Sequence, residues 1–326
     1  MKAIVQHEYG APQDVLRLAE VDMPVVGAQD VLVSVRASSA NPWDWHYIRG
    51  EPVLFRPALG GIRKPKFKVA GGDLAGTVRQ AGSGVTAFKP GDDVYGFGHG
   101  AFAEYIAVPH GSLALKPQSL TFEQAAAVPV AALTALQGLR DKAGIRAGQR
   151  VLVIGASGGV GTFAVQIAKT FDAVVTGVCS TRNVEMVRSI GADRVIDYTR
   201  DDFTQGAQRY DLILDCAGNH SLSALRRILN RTGTCVIVGG PSGYWIGPLV
   251  AVLKVLVYSL FIRQTFAVIL AKLSHDDLIL LRDFLEAGKI TPVIDRRYKL
   301  SELPEAIRYL EQGHARGKVV IAIGEP

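Results

Sequence analysis

Residues 151–169 constrain the fold of this chain more than any other segment. Residues 151–154 are apolar, as in a buried parallel strand, and the glycine-rich turn 155–161 follows them directly. Residues 162–169 then have the apolar face of a helix. A strand, a tight turn and a helix N-terminus bring unpaired N–H groups and the positive end of the helix dipole to one place, which favours a bound pyrophosphate.

The spacing inside this turn is Ala156-x-Gly158-x-x-Gly161, a variant of the dinucleotide-binding fingerprint with alanine at the first glycine position. Such a pattern is weak on its own. Its strand–turn–helix context favours a nucleotide site over a tight turn that serves only packing. The sequence therefore predicts a dinucleotide-binding domain that contains residues 151–169.

Chain length and cysteine spacing limit the classes of protein to which this chain could belong. A chain of 326 residues is long enough for two domains. The three cysteines, Cys179, Cys216 and Cys235, lack the spacing of a disulfide framework or a metal site, which indicates a reducing compartment. The N-terminus passes directly into a strand-like pattern, so we expect no targeting peptide and a cytoplasmic location.

The net charge of +6 comes mostly from dispersed basic residues, with one acid-free basic stretch at residues 56–68. This stretch is either a solvated loop or a rim that attracts cofactor phosphates or a membrane surface. Phe67 is its only aromatic residue, so the stacking surface of a nucleic-acid site is missing. We therefore expect no nucleic-acid partner.

The pattern of apolar runs changes near residue 122. Short β-like runs separated by Gly and Pro turns occupy residues 1–122, as in a small barrel-like β domain. From residue 151, strands alternate with helices, which predicts an α/β fold with a parallel, doubly wound sheet. A strand, a helix and a last strand follow residue 291. We expect one domain at 1–122, completed by 292–326, and a second at 123–291.

Residues 245–273 are dominated by apolar side chains, but no apolar run among them is long enough to span a membrane. Lys254 and Arg263 lie nine positions apart and would face opposite sides of one helix, so we expect two shorter helices with a break near Ser259. Two placements stay open. The segment is either buried in a domain cleft or subunit interface, or it is an exposed lid that contacts a membrane or admits a lipophilic substrate.

The end of the second predicted strand, residues 177–184, carries no carboxylate. A carboxylate at this position holds the ribose 2′-hydroxyl of NAD and would repel a 2′-phosphate. Ser180, Thr181 and Arg182 can instead donate hydrogen bonds to a phosphate, although they are also ordinary loop residues. The sequence therefore predicts NADPH rather than NADH.

Short motifs in order along the whole chain carry a family resemblance. They lie at residues 41–44, 71–78, 88–94, 100–105, 131–135, 155–161, 191–193, 195–198 and 313–320. With these motifs the chain resembles the zinc-independent quinone oxidoreductases of the medium-chain dehydrogenase/reductase superfamily. The His-Ala-Arg-Gly-Lys sequence at 314–318 is similar to the branch that includes the reticulon-interacting mitochondrial reductase.

The resemblance implies a GroES-like β-rich domain, a Rossmann domain, and NADPH between them. Carried over, the pyrophosphate is held by Ser157, Gly158, Gly159 and Val160. The 2′-phosphate is held by Ser180, Arg182 and Tyr198. The nicotinamide lies by Asn41 and Thr134, and the rest of the site is lined by Ala217, Gly239 and the backbone of Lys318 and Val319. Residue type alone leaves a second interpretation equally open for two of these residues. Asn41 could be a turn residue before Pro42, and the Thr134 hydroxyl could be hydrogen-bonded within its own helix.

Zinc-dependent relatives carry a cysteine ligand in the first region, a Gly-His-Glu motif in the second, and a lobe with four cysteines. This chain has Ser38, Ser39 and Asn41 in the first region and Asp73 in the second, and no such lobe. Zinc prefers a set of Cys, His and carboxylate ligands. We therefore expect no metal.

Without a Lewis acid, hydride transfer to a quinone or to the β-carbon of an enone is easier than transfer to a simple ketone, because the charge delocalises onto oxygen. His46 and Tyr47 are the candidates for donating a proton to that oxygen, although a single histidine is often structural. Trp43 and Trp45 either pack in the core or form a wall for a flat substrate.

The leading hypothesis is an NADPH-dependent reductase of quinones or α,β-unsaturated carbonyls, with a lipophilic small-molecule substrate and a homodimeric state. One alternative is a zinc-free alcohol dehydrogenase or carbonyl reductase. The other is a nucleotide-binding interaction protein with little turnover, which contacts a membrane or partner through residues 245–273.

Overall fold

The computed structural model describes residues 1–53, 56–57, 61–238 and 263–324. The chain divides into two units. The first unit contains Met1–Leu133, Leu273–Gly288 and Pro292–Pro326, and the second contains Thr134–Lys272 and Lys289–Thr291. This division differs from the predicted domains at residues 123–133 and 273–288, which belong to the first unit.

Strands and helices are numbered in chain order. The strands are β1 (Lys2–Gln6), β2 (Leu16–Glu20), β3 (Asp30–Ala40), β4 (Asp73–Ala81), β5 (Asp93–Phe97), β6 (Tyr105–Pro109), β7 (Leu113–Leu115), β8 (Arg150–Ile154), β9 (Val174–Cys179), β10 (Arg194–Asp197), β11 (Tyr210–Asp215), β12 (Leu229–Ile237), β13 (Thr265–Val268), β14 (Ile294–Lys299) and β15 (Lys318–Ala322). The helices are α1 (Pro12–Val15), α2 (Pro42–Arg49), α3 (Phe122–Ala126), α4 (Pro129–Gln137), α5 (Gly159–Thr170), α6 (Val184–Ser189), α7 (Leu222–Ile228), α8 (His275–Glu286) and α9 (Leu303–Glu311).

The sheet of the first unit has the order β14-β15-β3-β4-β5-β7, and β6 also pairs with β3. Its pairs are antiparallel except for β14 and β15. Val319, Val320 and Ile321 of β15 are fully buried, and Val319 lies opposite Ala40 of β3. The C-terminal strand therefore completes a sheet that the N-terminal part of the chain begins.

Two contacts explain why the boundary of the first unit lies beyond residue 122. Helix α3 packs on β3 and β4. Tyr95 in β5 is fully buried, and its hydroxyl donates a hydrogen bond of 2.6 Å to the carbonyl oxygen of Leu278 in α8. Both helices therefore belong to the core of the β-rich unit.

The sheet of the second unit has the order β10-β9-β8-β11-β12-β13, and its pairs are all parallel. Counted from β8, this is the order 3-2-1-4-5-6 of the doubly wound dinucleotide-binding fold. The predicted parallel, doubly wound sheet is confirmed. The strand order reverses at β8, so the space beyond the carboxyl ends of β8, β9 and β11 is where such sheets bind ligands.

The apolar segment 245–273 lies partly outside the described residues, which resume at Arg263. The predicted helix is wrong for Thr265–Val268, which forms β13 beside β12, because the β-branched and aromatic side chains there suit an edge of the parallel sheet. Beyond the strand, Leu270 is 81% exposed. Within the described ranges, none of the helices is long and apolar enough to cross a membrane.

Candidate functional site

The glycine turn between β8 and α5 has the backbone that the fingerprint requires. Gly155 has a φ of +74°, a region that favours glycine. A Cβ atom on Gly161 would lie 2.1 Å from the carbonyl oxygen of Gly155, so only glycine fits there. This close approach lets α5 begin at Gly159, directly beyond the carboxyl end of β8.

The first turn of α5 forms an open cradle. A Cβ atom on Gly158 would meet a single neighbour, the carbonyl oxygen of Gly155 at 3.4 Å. Ser157, Gly159 and Val160 are half-buried around it. The N–H groups of a first helical turn have no partner inside the helix and attract anions. The predicted pyrophosphate residues therefore lie together, and their geometry fits a pyrophosphate.

Asn183 joins two predicted groups of the second unit. Its side-chain Nδ2 donates hydrogen bonds to Ser157 Oγ at 3.0 Å and to Ser180 Oγ at 3.2 Å. Asn183 is buried, and its Oδ1 has no hydrogen-bond partner among the described residues. The sequence analysis missed this residue, because nothing local shows that its side chain spans the ends of β8 and β9.

Arg182 and Tyr198 are exposed near the end of β9, with Tyr198 58% exposed. The Thr181 hydroxyl is not free to donate to a phosphate, because it already donates a hydrogen bond of 2.6 Å to Asp197 Oδ2. Hydrogen bonds from Thr181 and Thr199 hold the pKa of Asp197 below its usual value.

Asp197 is a carboxylate that the sequence analysis overlooked. It ends β10 and lies opposite Cys179 of β9. The acid-free stretch 177–184 therefore has a carboxylate beside it in space, supplied by the neighbouring strand. Any preference for a 2′-phosphate then depends on Ser180, Arg182 and Tyr198 rather than on the absence of acids.

The remaining predicted residues of the second unit differ in placement. Thr134 is buried in α4. Ala217 is exposed after β11, and its N–H donates a hydrogen bond of 3.0 Å to Asp215 Oδ1. Gly239 lies outside the described residues.

A buried polar cluster in the first unit contains Asn41, Asp73 and Lys318. Asn41 Nδ2 donates a hydrogen bond of 2.8 Å to Asp73 Oδ2, which also accepts one of 2.7 Å from Ser39 Oγ. The Lys318 ammonium donates to Asn41 Oδ1 and lies 3.3 Å from Asp73 Oδ2. Lys318 thus contributes its side chain to this cluster, whereas the resemblance implied a role for its backbone.

Asn41 also precedes α2, as its turn-residue interpretation expected. Its backbone N–H donates a hydrogen bond of 2.7 Å to Asp44 Oδ2. Burial raises the pKa of Asp44 to about 7. Asn41 therefore connects the start of a helix to the buried charges of Asp73 and Lys318.

The two regions that hold zinc ligands in zinc-dependent relatives meet in this cluster, as Ser39, Asn41 and Asp73. The Lys318 ammonium already supplies a positive charge beside two of them, which disfavours a metal cation there. In the part of the chain that the structure describes, no group of three His, Cys, Asp or Glu side chains could hold a metal ion.

Both predicted proton donors contact backbone groups at hydrogen-bond distance. His46 Nδ1 lies 2.9 Å from the carbonyl oxygen of Glu51, and its ring stacks on Trp45 with centroids 3.6 Å apart. The Tyr47 hydroxyl donates to the Phe67 carbonyl oxygen at 3.1 Å and accepts from the Phe67 N–H at 2.8 Å. Burial raises the pKa of Tyr47. Its proton is therefore engaged and hard to lose.

An aromatic cavity in the first unit is lined by Trp43, Tyr47, Phe67, Phe97 and His99, together with small residues. The His99 ring is parallel to Phe67, with centroids 4.5 Å apart, and edge-on to Phe97 at 5.5 Å. Neither ring nitrogen of His99 has a hydrogen-bond partner among the described residues. His46, in contrast, does not line the cavity.

The sequence analysis left Trp43 open between core packing and a substrate wall, named Tyr47 as a candidate proton donor, and missed Phe67, Phe97 and His99. Gly72 allows the convergence, because a Cβ atom there would lie 2.3 Å from a ring carbon of Phe97. Phe67 precedes β4 and His99 follows β5, so their stacking is a product of strand pairing. No residue spacing in the sequence predicts this stacking.

Family models cover most of the chain. A model described as alcohol dehydrogenase GroES-like domain matches residues 27–118, and one described as zinc-binding dehydrogenase matches residues 190–321. The 2-methylene-furan-3-one reductase of Solanum lycopersicum is 34% identical over 98% of this chain and 79% of its own length. The chain belongs to the medium-chain dehydrogenase/reductase superfamily.

Further relatives agree with the branch that the motifs indicate. The mitochondrial NAD(P)H oxidoreductase RTN4IP1 of Homo sapiens is 34% identical over 99% of this chain and 89% of its own length. The structure of the quinone oxidoreductase from Coxiella burnetii matches with a TM-score of 0.86 and 29% identity over 99% of both chains. The predicted GroES-like and Rossmann domains are confirmed, and the chain is an oxidoreductase of a quinone oxidoreductase-like family.

Proposed function

We propose that this protein transfers a hydride from NADPH to a quinone or an α,β-unsaturated carbonyl compound. The observation that carries the proposal is the cluster of aromatic rings around a small cavity of about 10 Å³, with the exposed imidazole of His99 at its wall. Flat, conjugated substrates stack well on such rings. Relatives with this domain composition include a furanone reductase and a quinone oxidoreductase.

The chain's own residues fit the cofactor. Ser157, Gly158, Gly159 and Val160 form the cradle for the pyrophosphate, and Asn183 fixes Ser157 relative to Ser180. Ser180, Arg182 and Tyr198 would hold the 2′-phosphate. When bound, the nicotinamide supplies the hydride.

His99 is the side chain that we assign to the substrate oxygen. Burial, together with the positive charge of Lys66, lowers the pKa of His99, so the ring is neutral near pH 7 and keeps one N–H group to donate. As the hydride forms a C–H bond at the β-carbon of an enone, negative charge develops on oxygen, where a preorganised donor stabilises it.

Water supplies the proton that completes the reaction. The enolate takes one proton to give the saturated carbonyl, and a quinone takes a proton with the hydride to give the hydroquinone. As a neutral imidazole, His99 stabilises the developing oxyanion by a hydrogen bond, and the proton itself comes from water, which reaches the exposed ring. The cation of Lys318 beside Asn41 and Asp73 supports a mechanism without zinc.

The test is consumption of NADPH with 9,10-phenanthrenequinone, 1,4-benzoquinone and a simple enone as substrates. Turnover of any of them is expected for the native chain. Turnover of alcohols alone would favour the alcohol dehydrogenase alternative, and no turnover with any substrate would contradict the proposal.

The His99→Phe variant tests the donor separately, because it keeps the ring that stacks on Phe67 and removes the N–H group. We expect kcat to fall by roughly a hundredfold while KM changes little. His110→Phe is the matched control, since His110 lies outside the cavity. An unchanged kcat in His99→Phe would show that His99 is not the donor.

A further inference from the structure

We propose that a basic groove in the first unit binds a small phosphate ester that also carries a hydroxyl group. The groove encloses about 730 Å³ between the end of β1 and residues 61–68, a size that suits a small molecule. It belongs neither to the aromatic cavity nor to the predicted nucleotide residues. The proposal does not depend on the proposed hydride transfer.

Charge is the first argument. Arg63, Lys64, Lys66 and Lys68 line the groove and are exposed, and His7 lies beside them. None of the described residues that line it is acidic. Guanidinium and ammonium groups that converge on one concave surface recognise phosphate oxygens through charge-assisted hydrogen bonds.

The backbone of the loop that carries these charges is held at both ends. The Tyr9 hydroxyl donates a hydrogen bond of 2.8 Å to the Gly61 carbonyl oxygen. The Gln6 N–H donates one of 2.7 Å to the Lys68 carbonyl oxygen. A Cβ atom on Gly61 would lie 1.9 Å from the Lys64 carbonyl oxygen, so this tight turn requires glycine.

Gln6 supplies a second, independent argument. Gln6 is among the residues that line the groove, its side chain is fully buried, and its Nε2 donates hydrogen bonds to the carbonyl oxygens of Ile48 at 2.8 Å and Glu8 at 3.0 Å. Its Oε1 has no partner among the described residues. Buried amide oxygens are normally hydrogen-bonded. A hydroxyl group on the ligand would provide the missing donor.

Binding is measured by isothermal titration calorimetry of the full chain in saturating NADPH. The soluble probes are inorganic phosphate, ribose 5-phosphate and inositol 1,4,5-trisphosphate. Binding to lipid is measured by sedimentation with phosphatidylcholine vesicles that contain or lack phosphatidylinositol 4,5-bisphosphate. Saturable binding of a soluble ester identifies a free ligand, and binding of the phosphoinositide vesicles alone identifies a lipid headgroup. Either result supports the site.

The charge variant is Arg63→Gln with Lys64→Gln, and its control is Arg79→Gln with Lys89→Gln. Both remove two exposed positive charges from the first unit, but only the former changes the groove. We expect the first variant to weaken ester binding by about tenfold or more and the control to leave it nearly unchanged. Equal weakening in both would show a nonspecific charge effect and overturn the proposal.

The Gln6→Leu variant tests the hydroxyl contact. It should weaken the binding of ribose 5-phosphate and leave the binding of inorganic phosphate unchanged, because only the ester carries sugar hydroxyl groups that can reach Gln6 while its phosphate contacts the cations. Circular dichroism establishes that the variant is folded, and if it is not, the charge variants still decide. Absence of binding by every probe, or loss of ester binding when NADPH is added, would overturn the proposal of a separate site.

Discussion

At the residue scale, Arg182 is the side chain on which the proposed cofactor choice most depends. It is exposed beside Ser180, and Asp197 lies near enough to occupy Thr181. We expect Arg182→Ala to raise the KM for NADPH by about tenfold or more and to leave the KM for NADH nearly unchanged, because only NADPH offers a 2′-phosphate. Steady-state kinetics with both cofactors measure this.

The control for that prediction is Arg188→Ala, which removes an equal charge from the exposed part of α6. It should affect both cofactors equally and weakly. An equal loss of NADPH and NADH affinity in Arg182→Ala would contradict the assigned role.

Asp44 gives a prediction about pH. Its pKa in the folded protein is about 7, against 3.8 for an ordinary aspartate, because it is buried. Between these values the folded protein binds a proton that the unfolded chain has released, so the contribution of Asp44 to stability is lost as pH rises through this window. Asp44→Asn removes the dependence.

The measurement is thermal unfolding at several pH values between about 4 and 8. The Tm of Asp44→Asn minus that of the native chain should increase as pH rises. Asp22→Asn, which changes an exposed loop aspartate, is the control. Parallel curves for Asp44→Asn and the native chain would contradict the raised pKa.

The residues of the polar cluster show what a sequence can and cannot reveal at this scale. Asn41 and Lys318 were identified through motifs, but their mutual hydrogen bond joins positions 277 residues apart. Asp197 was overlooked because it ends a different strand from the one whose acids were considered. Convergence of distant side chains follows from strand pairing, which no local pattern encodes.

At the scale of elements, two glycines of the turn between β8 and α5 have different roles: one is required for packing and the other leaves space for a ligand. Gly161→Ala should destabilise the second unit by roughly 1–3 kcal/mol, because the added Cβ would overlap the Gly155 carbonyl oxygen. Gly158→Ala should leave stability nearly unchanged, since its Cβ would make only an ordinary contact of 3.4 Å with the Gly155 carbonyl oxygen, but should weaken NADPH binding by entering the cradle.

Urea denaturation and a fluorescence titration with NADPH measure the two effects. The pair serves as its own control, because one variant changes packing and the other changes the ligand space. Equal destabilisation by both substitutions would show that the turn is not organised as described.

This turn was also the element that could be predicted best. Its strand, glycines and helix are consecutive, so each signal is local. Residues 265–268 show the opposite case. Their apolar character suited either a helix or a strand, and the free edge of β12, which accepts them as β13, comes from earlier in the chain.

At the scale of the whole molecule, the β-rich unit depends on helices that the sequence analysis gave to the other domain. Tyr95 connects β5 to α8 through the hydrogen bond to Leu278. Tyr95→Phe should reduce the free energy of unfolding by about 1–3 kcal/mol, because a buried carbonyl oxygen would lose its donor. Tyr105→Phe, a half-buried tyrosine of β6, is the control.

Urea unfolding followed by circular dichroism measures the difference between the two variants. Equal stability of Tyr95→Phe and the native chain would mean that α8 is not held by this bond. The division at residues 123–133 and 273–288 was not predictable from composition. Helices that pack on a β-rich unit have the same spacing of apolar and polar residues as helices that pack on a parallel sheet.

The pairing of β15 with β3 has a consequence for synthesis. The first unit begins before the second along the chain, yet its sheet keeps an open edge at residues 37–40 of β3 until residues 318–322 are made. During that interval Asp73 also lacks the ammonium of Lys318. The unit that starts first is therefore completed after the other, and the nascent chain must carry an open strand edge and an uncompensated charge through the translation of the entire nucleotide-binding sheet.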